Sequence, residues 1–199
     1  MDEFMQAAID EARQGLAEGG IPIGSVIVHH GQIIGRGHNR RIQQGSVIRH
    51  GEMDALENAG RQPAALYQAS VLYTTLSPCA MCSGAILLYG IPKVIVGENT
   101  TFLGEEALLR SRGVEVVVLQ DPACTALMQE FIARNPALCG CIQQVADMTL
   151  SRSDQRRAAK FFADAEQAQE VRMSKSDTDN AFWARYKNFA TTAEAYCAN

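Results

Sequence analysis

Short β-rich runs recur along this chain between stretches of helical periodicity: IGSVIVHH, QIIGRGHN, VLYTT, KVIVG and VEVVVL. That alternation constrains the fold more than any other feature. Apolar strands of this kind are buried on both faces, and parallel neighbours need a crossover, usually a helix. The first two runs hinge at Gly31 and read as a hairpin. A helix over roughly 2–18 precedes them, with Phe4, Ala8, Ile9, Ala12 and Leu16 at helical spacing and Gly19-Gly20 as its stop. His50 to Ala59 reads as a second helix. Ser77 is placed to cap a third, with Pro78 at its first position. GEEALLRSRG reads as a helix closed by Gly113, and 122–134 as one that stops near Asn135-Pro136. The pattern predicts an α/β architecture: one mixed, mostly buried sheet with helices on both faces. With 199 residues, 47% of them hydrophobic, the chain can bury one such core.

Residues 142–199 differ. They are polar and Ala-rich and contain no strand run. Eight Lys/Arg balance eight Asp/Glu, so the whole net charge of −4 lies in residues 1–141. Two helices are expected here, over roughly 152–171 and 179–196. The second carries Phe182, Trp183, Tyr186 and Phe189 as an apolar stripe that would dock on the core or on a second subunit, or else cover a pocket. The acidic balance, with pI about 5.6, speaks against a large nucleic-acid footprint, which needs a basic face. No apolar run approaches the roughly 18 residues of a membrane span. The acidic, amphipathic N-terminus is unlike a signal peptide, so the expected setting is the cytoplasm.

A reducing compartment makes disulfides an unfavourable expectation and directs attention to metal or redox roles for closely spaced cysteines. Cys124 and Cys197 stand alone and read as inert. Cys139 and Cys141, in LCGC, have no partner at ligand spacing and read as small apolar residues near a turn. Cys79 and Cys82 differ: at i and i+3 in a first helical turn, both thiols point to one side, where the helix dipole favours thiolates. That position suits a redox pair as well as a metal. The second half of the argument is His50-Gly51-Glu52. Two thiolates and one imidazole give zinc three protein ligands and leave a fourth position for water, which is the layout of a catalytic ion. Glu52 is too close to His50 along the chain to be an easy fourth ligand, and it suits proton transfer to and from that water. H-x-E followed by P-C-x-x-C is the signature of zinc nucleobase deaminases, and it is complete here. His29, His30 and His38 lack motif spacing and read as hairpin or surface residues.

With these motifs the sequence resembles the cytidine-deaminase-like superfamily and, within it, the cytosine deaminases of the small fungal type. The resemblance runs through EGGIPIG (18–24), GRGHNRRIQQGSVIRHGEMDALENAGR (35–61), LYTTLSPCAMCSGAILLYGIPKVIVGEN (72–99) and RGVEVVVLQD (112–121), about residues 3–138. It implies a three-layer α/β/α sandwich around a five-stranded sheet, with residues 1–141 as the deaminase domain and 142–199 as a helical C-terminal extension. It implies a homodimer with one zinc per subunit, a small nucleobase as substrate, and hydrolysis of cytosine to uracil and ammonia. By position, His50, Cys79 and Cys82 match the zinc ligands and Glu52 the proton shuttle. Asn39 matches the amide that faces the pyrimidine, although spacing alone makes it a turn residue. The backbones of Gly51 and Ser77 match the same edge. Phe102 matches a stacking aromatic and Ile23 an apolar wall.

The chain departs from that family at its C-terminus, where a tryptophan and an acidic residue close the pocket. Here the stretch reads NPALCGCIQQ, with Cys139 at the tryptophan's place and no Asp before Asp147. Asp147, or Trp183 with Asp179, are the residues of the extension that could substitute. The departure keeps other readings open: the same chemistry on guanine, a creatinine-like imine or a nucleoside, adenosine deamination in tRNA, or a zinc-stabilised binding module.

Overall fold

A computed structural model describes residues 2–134, 136–163 and 165–197. In chain order, α1 (Glu3–Ala17) leads into the hairpin of β1 (Gly24–His29) and β2 (Gln32–His38). Next come α2 (Arg41–Gln44), α3 (Gly51–Ala59), α4 (Ala64–Tyr67), β3 (Ser70–Leu76) and α5 (Ala80–Tyr89). Then follow β4 (Lys93–Glu98), α6 (Glu106–Ser111), β5 (Glu115–Val118) and α7 (Pro122–Arg134).

The strands form one sheet in the order β2-β1-β3-β4-β5. β1 runs antiparallel to β2 and β3, and β3, β4 and β5 run parallel. The hairpin turns on His30 and Gly31, both at positive φ, the geometry whose twist matches the flanking strands. Period-two alternation divides the core into two layers. Ile27, Leu72, Val94 and Val96 face α3, α5 and α6. Val26, Val28, Tyr73 and Ile95 face α1 and α7. The result is the mixed sheet with helices on both faces that the sequence pattern predicts, in the three-layer, five-stranded form that the family resemblance implies. Gly35 and Gly37 let α3 lie directly on β2, because a Cβ at either would collide with the helix backbone around Ala55. That close approach fixes the helix end that carries His50 and Glu52.

The chain divides into two compact units, one ending at Phe131 and the next beginning at Ile132. The second is helical: α8 (Pro136–Thr149), α9 (Arg152–Ala163), α10 (Ala165–Met173) and α11 (Asp177–Cys197). It therefore holds more helix than the two segments expected. Pro136 is the first residue of α8 as well as the end of the preceding run, a position where its missing N–H costs nothing. The span 152–171 carries both α9 and α10. The aromatic stripe of α11 packs inside this unit, with Phe161 of α9 against Phe182, Trp183 and Tyr186.

Two readings of the cysteines are corrected. Cys141 and Cys197 form a disulfide that joins α8 to α11, so neither is a lone or inert thiol. A sequence separation of 56 hides the pair, and Cys141 lies within α8, not at a turn. Ser77 does not cap α5. The helix begins two residues later with Cys79 as its N-cap, and the Ser77 hydroxyl is taken up by Glu106 and the Gly104 N–H.

Candidate active site and metal centre

Two helix N-termini meet at the carboxyl end of β3. His50 is the N-cap of α3, so Gly51 and Glu52 open that helix, and Cys79 is the N-cap of α5, with Cys82 one turn on. His50 Nδ1 lies 3.5 Å from Cys79 Sγ and 3.7 Å from Cys82 Sγ, and the two sulfurs are 3.6 Å apart. A tetrahedral ion with bonds of about 2.3 Å to sulfur and about 2.0 Å to nitrogen needs donor separations of roughly 3.5–3.8 Å. The triangle therefore fits zinc without rearrangement. Among the described residues, these donors are the His/Cys/Asp/Glu group arranged to hold a metal.

The electrostatics agree. The hydrogen bond with Cys82 draws the Cys79 thiol down to about 4 against the cost of burial, with His50 helping. The same bond to Cys79, then burial, pushes Cys82 far up. Of the two thiols Cys79 is the easier to ionise, and a metal taking the site would bind both sulfurs as thiolates and release the protons they hold. The hydrogen bond to Cys79 raises His50.

Glu52 is 3% exposed and is not part of the triangle. One carboxylate oxygen accepts from Thr74 Oγ1 at 3.2 Å, and the other accepts from Cys82 Sγ at 3.3 Å. Burial pushes its pKa above the ordinary carboxylate value. The site thus holds a carboxyl group of raised basicity beside a metal triangle, which is the equipment for moving protons at an activated water.

The other expected residues fall as follows. Asn39 is buried, its backbone N–H donates to Ile23 O at 2.8 Å, and its side-chain oxygen accepts from the Arg41 N–H. Gly51 lies against the Ile23 carbonyl, where a side chain would collide. Asn39, Ile23, Gly51 and the metal ligands are thus joined by direct contacts or by chain connection. Ser77 is buried one residue before Pro78-Cys79. Phe102 is 45% exposed, on the loop between β4 and α6. The candidates for a replacement lid are all engaged inside the helical unit. Asp147 accepts from Gln143 and Gln155, Asp179 accepts from Arg157 and Ser174, and Trp183 stacks near Tyr186.

The structure adds supporting residues that the motifs do not reveal. Ser25 and Thr74 form a buried hydroxyl pair that ends on Glu52. Their signal is faint: polar residues at inward positions of otherwise apolar strands. Asp54 receives Arg40 Nε and Arg49 Nη1, each at 2.9 Å, and also the His38 N–H. Together with the Arg40 N–H to Arg49 O bond, this closes the 40–49 segment and sets Asn39 beside His50. Nothing in the sequence singles out Asp54 from other helix acids.

Comparison with known proteins accords with this geometry. Residues 1–98 match the model of the cytidine and deoxycytidylate deaminase zinc-binding region. Cytosine deaminase of Candida albicans is 56% identical over 133 residues, 66% of this chain and 89% of that protein. A tRNA-specific adenosine deaminase of Streptococcus pyogenes is 46% identical over 107 residues, 53% of this chain and 67% of that one. Among solved structures, a guanine deaminase from Nitrosomonas europaea matches with a TM-score of 0.53 at 25% identity, over 65% of this chain and 83% of that one. Among the described residues, no helix is long and apolar enough to cross a membrane.

Proposed function

The chain belongs to the cytosine deaminase family of zinc-dependent deaminases, and from that premise we propose that it hydrolyses cytosine to uracil and ammonia. The observation that carries this reading is the buried Glu52 carboxyl group beside the His50–Cys79–Cys82 triangle. Zinc held there supplies the Lewis acidity that makes water nucleophilic near neutral pH.

The rest is the work of the chain. Glu52, raised by burial, accepts a proton from the attacking water and delivers it to ring N3. It then takes the remaining proton of the hydroxyl added at C4 and passes it to the exocyclic nitrogen; the C4–N bond breaks, ammonia leaves, and C4 becomes the carbonyl of uracil. Thr74 Oγ1 holds one Glu52 oxygen, so the other is aimed at the reacting side. The Asn39 amide can offer a donor and an acceptor to the base edge, beside the backbones of Gly51 and Ser77. Phe102 supplies a face for stacking and Ile23 an apolar wall. Residues 1–141 form the deaminase domain in this reading and 142–199 an added helical extension. The protein works as a homodimer in the cytoplasm.

Ammonia release from cytosine, cytidine, guanine, adenine and creatinine by the full-length, zinc-loaded protein tests this. Release from cytosine well above the other four is expected. Silence on cytosine with release from another ring would move the substrate, and silence on all five would overturn the reading.

A further inference from the structure

Between β4 and α6, residues 99–105 run as an irregular loop with an unusual number of anchors. Its backbone is tied at both ends. Glu98 accepts the Thr100 and Thr101 N–H groups at 2.6 and 2.9 Å. Further on, the Gly104 N–H donates to Ser77 Oγ at 3.0 Å and the Glu105 N–H to Pro78 O at 2.9 Å. A Cβ on Gly104 would collide with the Pro78 carbonyl, so the loop lies flat on Ser77-Pro78, the two residues before the metal ligand Cys79. Side chains tie it as well. Thr100 Oγ1 donates to Gln120, and Gln120 donates to Asn99 at 2.7 Å from a backbone held at φ 52. Strain of that kind persists only where the surroundings over-determine it.

The two sets of anchors meet on one carboxylate. Glu106 is 2% exposed. Its Oε1 accepts from Ser77 Oγ at 2.8 Å and from Asn99 Nδ2 at 3.1 Å, and its Oε2 accepts from Arg110 at 3.2 Å. Phe102 rides on this clamped loop and is 45% exposed. An apolar ring left in water on a segment tied at so many points is a platform for a ligand.

We propose that Glu106 is a positioning residue for substrate binding: through Ser77 and Asn99 it locks the 99–105 loop to the strand end before Cys79 and so fixes Phe102 for stacking on the substrate ring. Glu106 touches neither metal ligand nor substrate. Its effect therefore falls on binding of the ring and leaves the proton chemistry of Glu52 in place. This inference rests on the cytosine reading above.

The test uses the full-length, zinc-loaded protein. Glu106→Ala is expected to raise KM for cytosine about tenfold or more with kcat within about threefold, the split that marks lost binding common to ground and transition states. Zinc content stays at the wild-type value, and amide exchange at Gly104 and Glu105 accelerates. Glu106→Gln keeps an acceptor for Ser77 and Asn99 and restores most of the KM effect. Ser77→Ala raises KM in the same direction, and the double variant is no worse than the more severe single one, because both cut one path. Should Glu106→Ala not fold, Ser77→Ala and Glu106→Gln carry the comparison. An unchanged KM, a fall confined to kcat, or unchanged exchange in the loop would overturn the proposal. Silence of the wild type on cytosine would sink the substrate reading alone, since amide exchange reads the clamp without substrate.

Discussion

The sandwich unit and the helical unit bury their side chains on different terms. In the sandwich, twelve polar or charged residues are buried, among them Ser25, Asn39, Glu52, Asp54, Ser77 and Glu106. In the helical unit, Asp154 alone is buried among the described residues. There the interior is aromatic and aliphatic, and the ion pairs of Arg157 with Asp179 and Arg185 with Asp154 reach from it to arginines on a part-exposed rim. Burying a polar group costs free energy unless every partner is supplied. A unit that tolerates a dozen such groups is organised around a site, and one that tolerates a single group is organised around its own stability. The contrast extends to the cysteines. Those of the sandwich site remain thiols poised for metal, and those joining α8 to α11 close a covalent loop.

The comparison breaks most visibly at the disulfide. Reducing Cys141–Cys197 reopens a loop with a sequence separation of 56, and the loop-entropy relation gives about 4 kcal/mol. Thermal unfolding with and without reductant should show the helical signal falling to lower temperature while zinc content holds. A sandwich transition that moved equally, or a helical one that did not move, would erase the distinction. Next in size is Asp54→Ala, which takes this acceptor from Arg49 and the His38 N–H and leaves Arg40 with its longer ion pair to Glu18. Lost hydrogen bonds to a charged group predict about 2–3 kcal/mol of destabilisation. Denaturant melts should register that loss in the sandwich transition. The smallest effect concerns the rim. Arg185 hydrogen-bonds Asp154 and holds its carboxyl below the ordinary range. A depressed carboxylate contributes stability that is complete above its unfolded value and is lost as the pH falls through the folded one. For a rim pair that is about 0.2–1 kcal/mol. An Arg185→Gln variant should therefore differ from wild type at neutral pH and converge with it in strong acid. A difference that grew on acidification would reverse the sign.

Much of the sandwich was legible in the sequence because its signals are local. The β-rich runs, the hairpin glycine and the motif HxE with PCxxC each act within a few residues, and the structure realises them as strands, turn and metal triangle. What escaped depends on distance in the chain. Ser77 has the residue type of an N-cap, yet a buried carboxylate 29 positions away claims its hydroxyl. Asp54 and Glu106 look like ordinary helix acids until tertiary structure surrounds them with donors. The helical unit was harder to read because its pattern is weak: LCGC carries no helical period, Pro136 signals both a stop and a start, and Cys197 lies 56 positions from the partner that α8 brings to it.

The most direct test is the turnover of Glu52→Gln on cytosine, measured beside its zinc content. Glutamine keeps the shape of the side chain and an acceptor for Thr74 but cannot carry the proton. The expected result is a full complement of zinc with kcat lowered about 10³-fold, within the range typical of a lost general acid–base. Full zinc with turnover within about tenfold of wild type would contradict the assignment of Glu52 as the proton carrier.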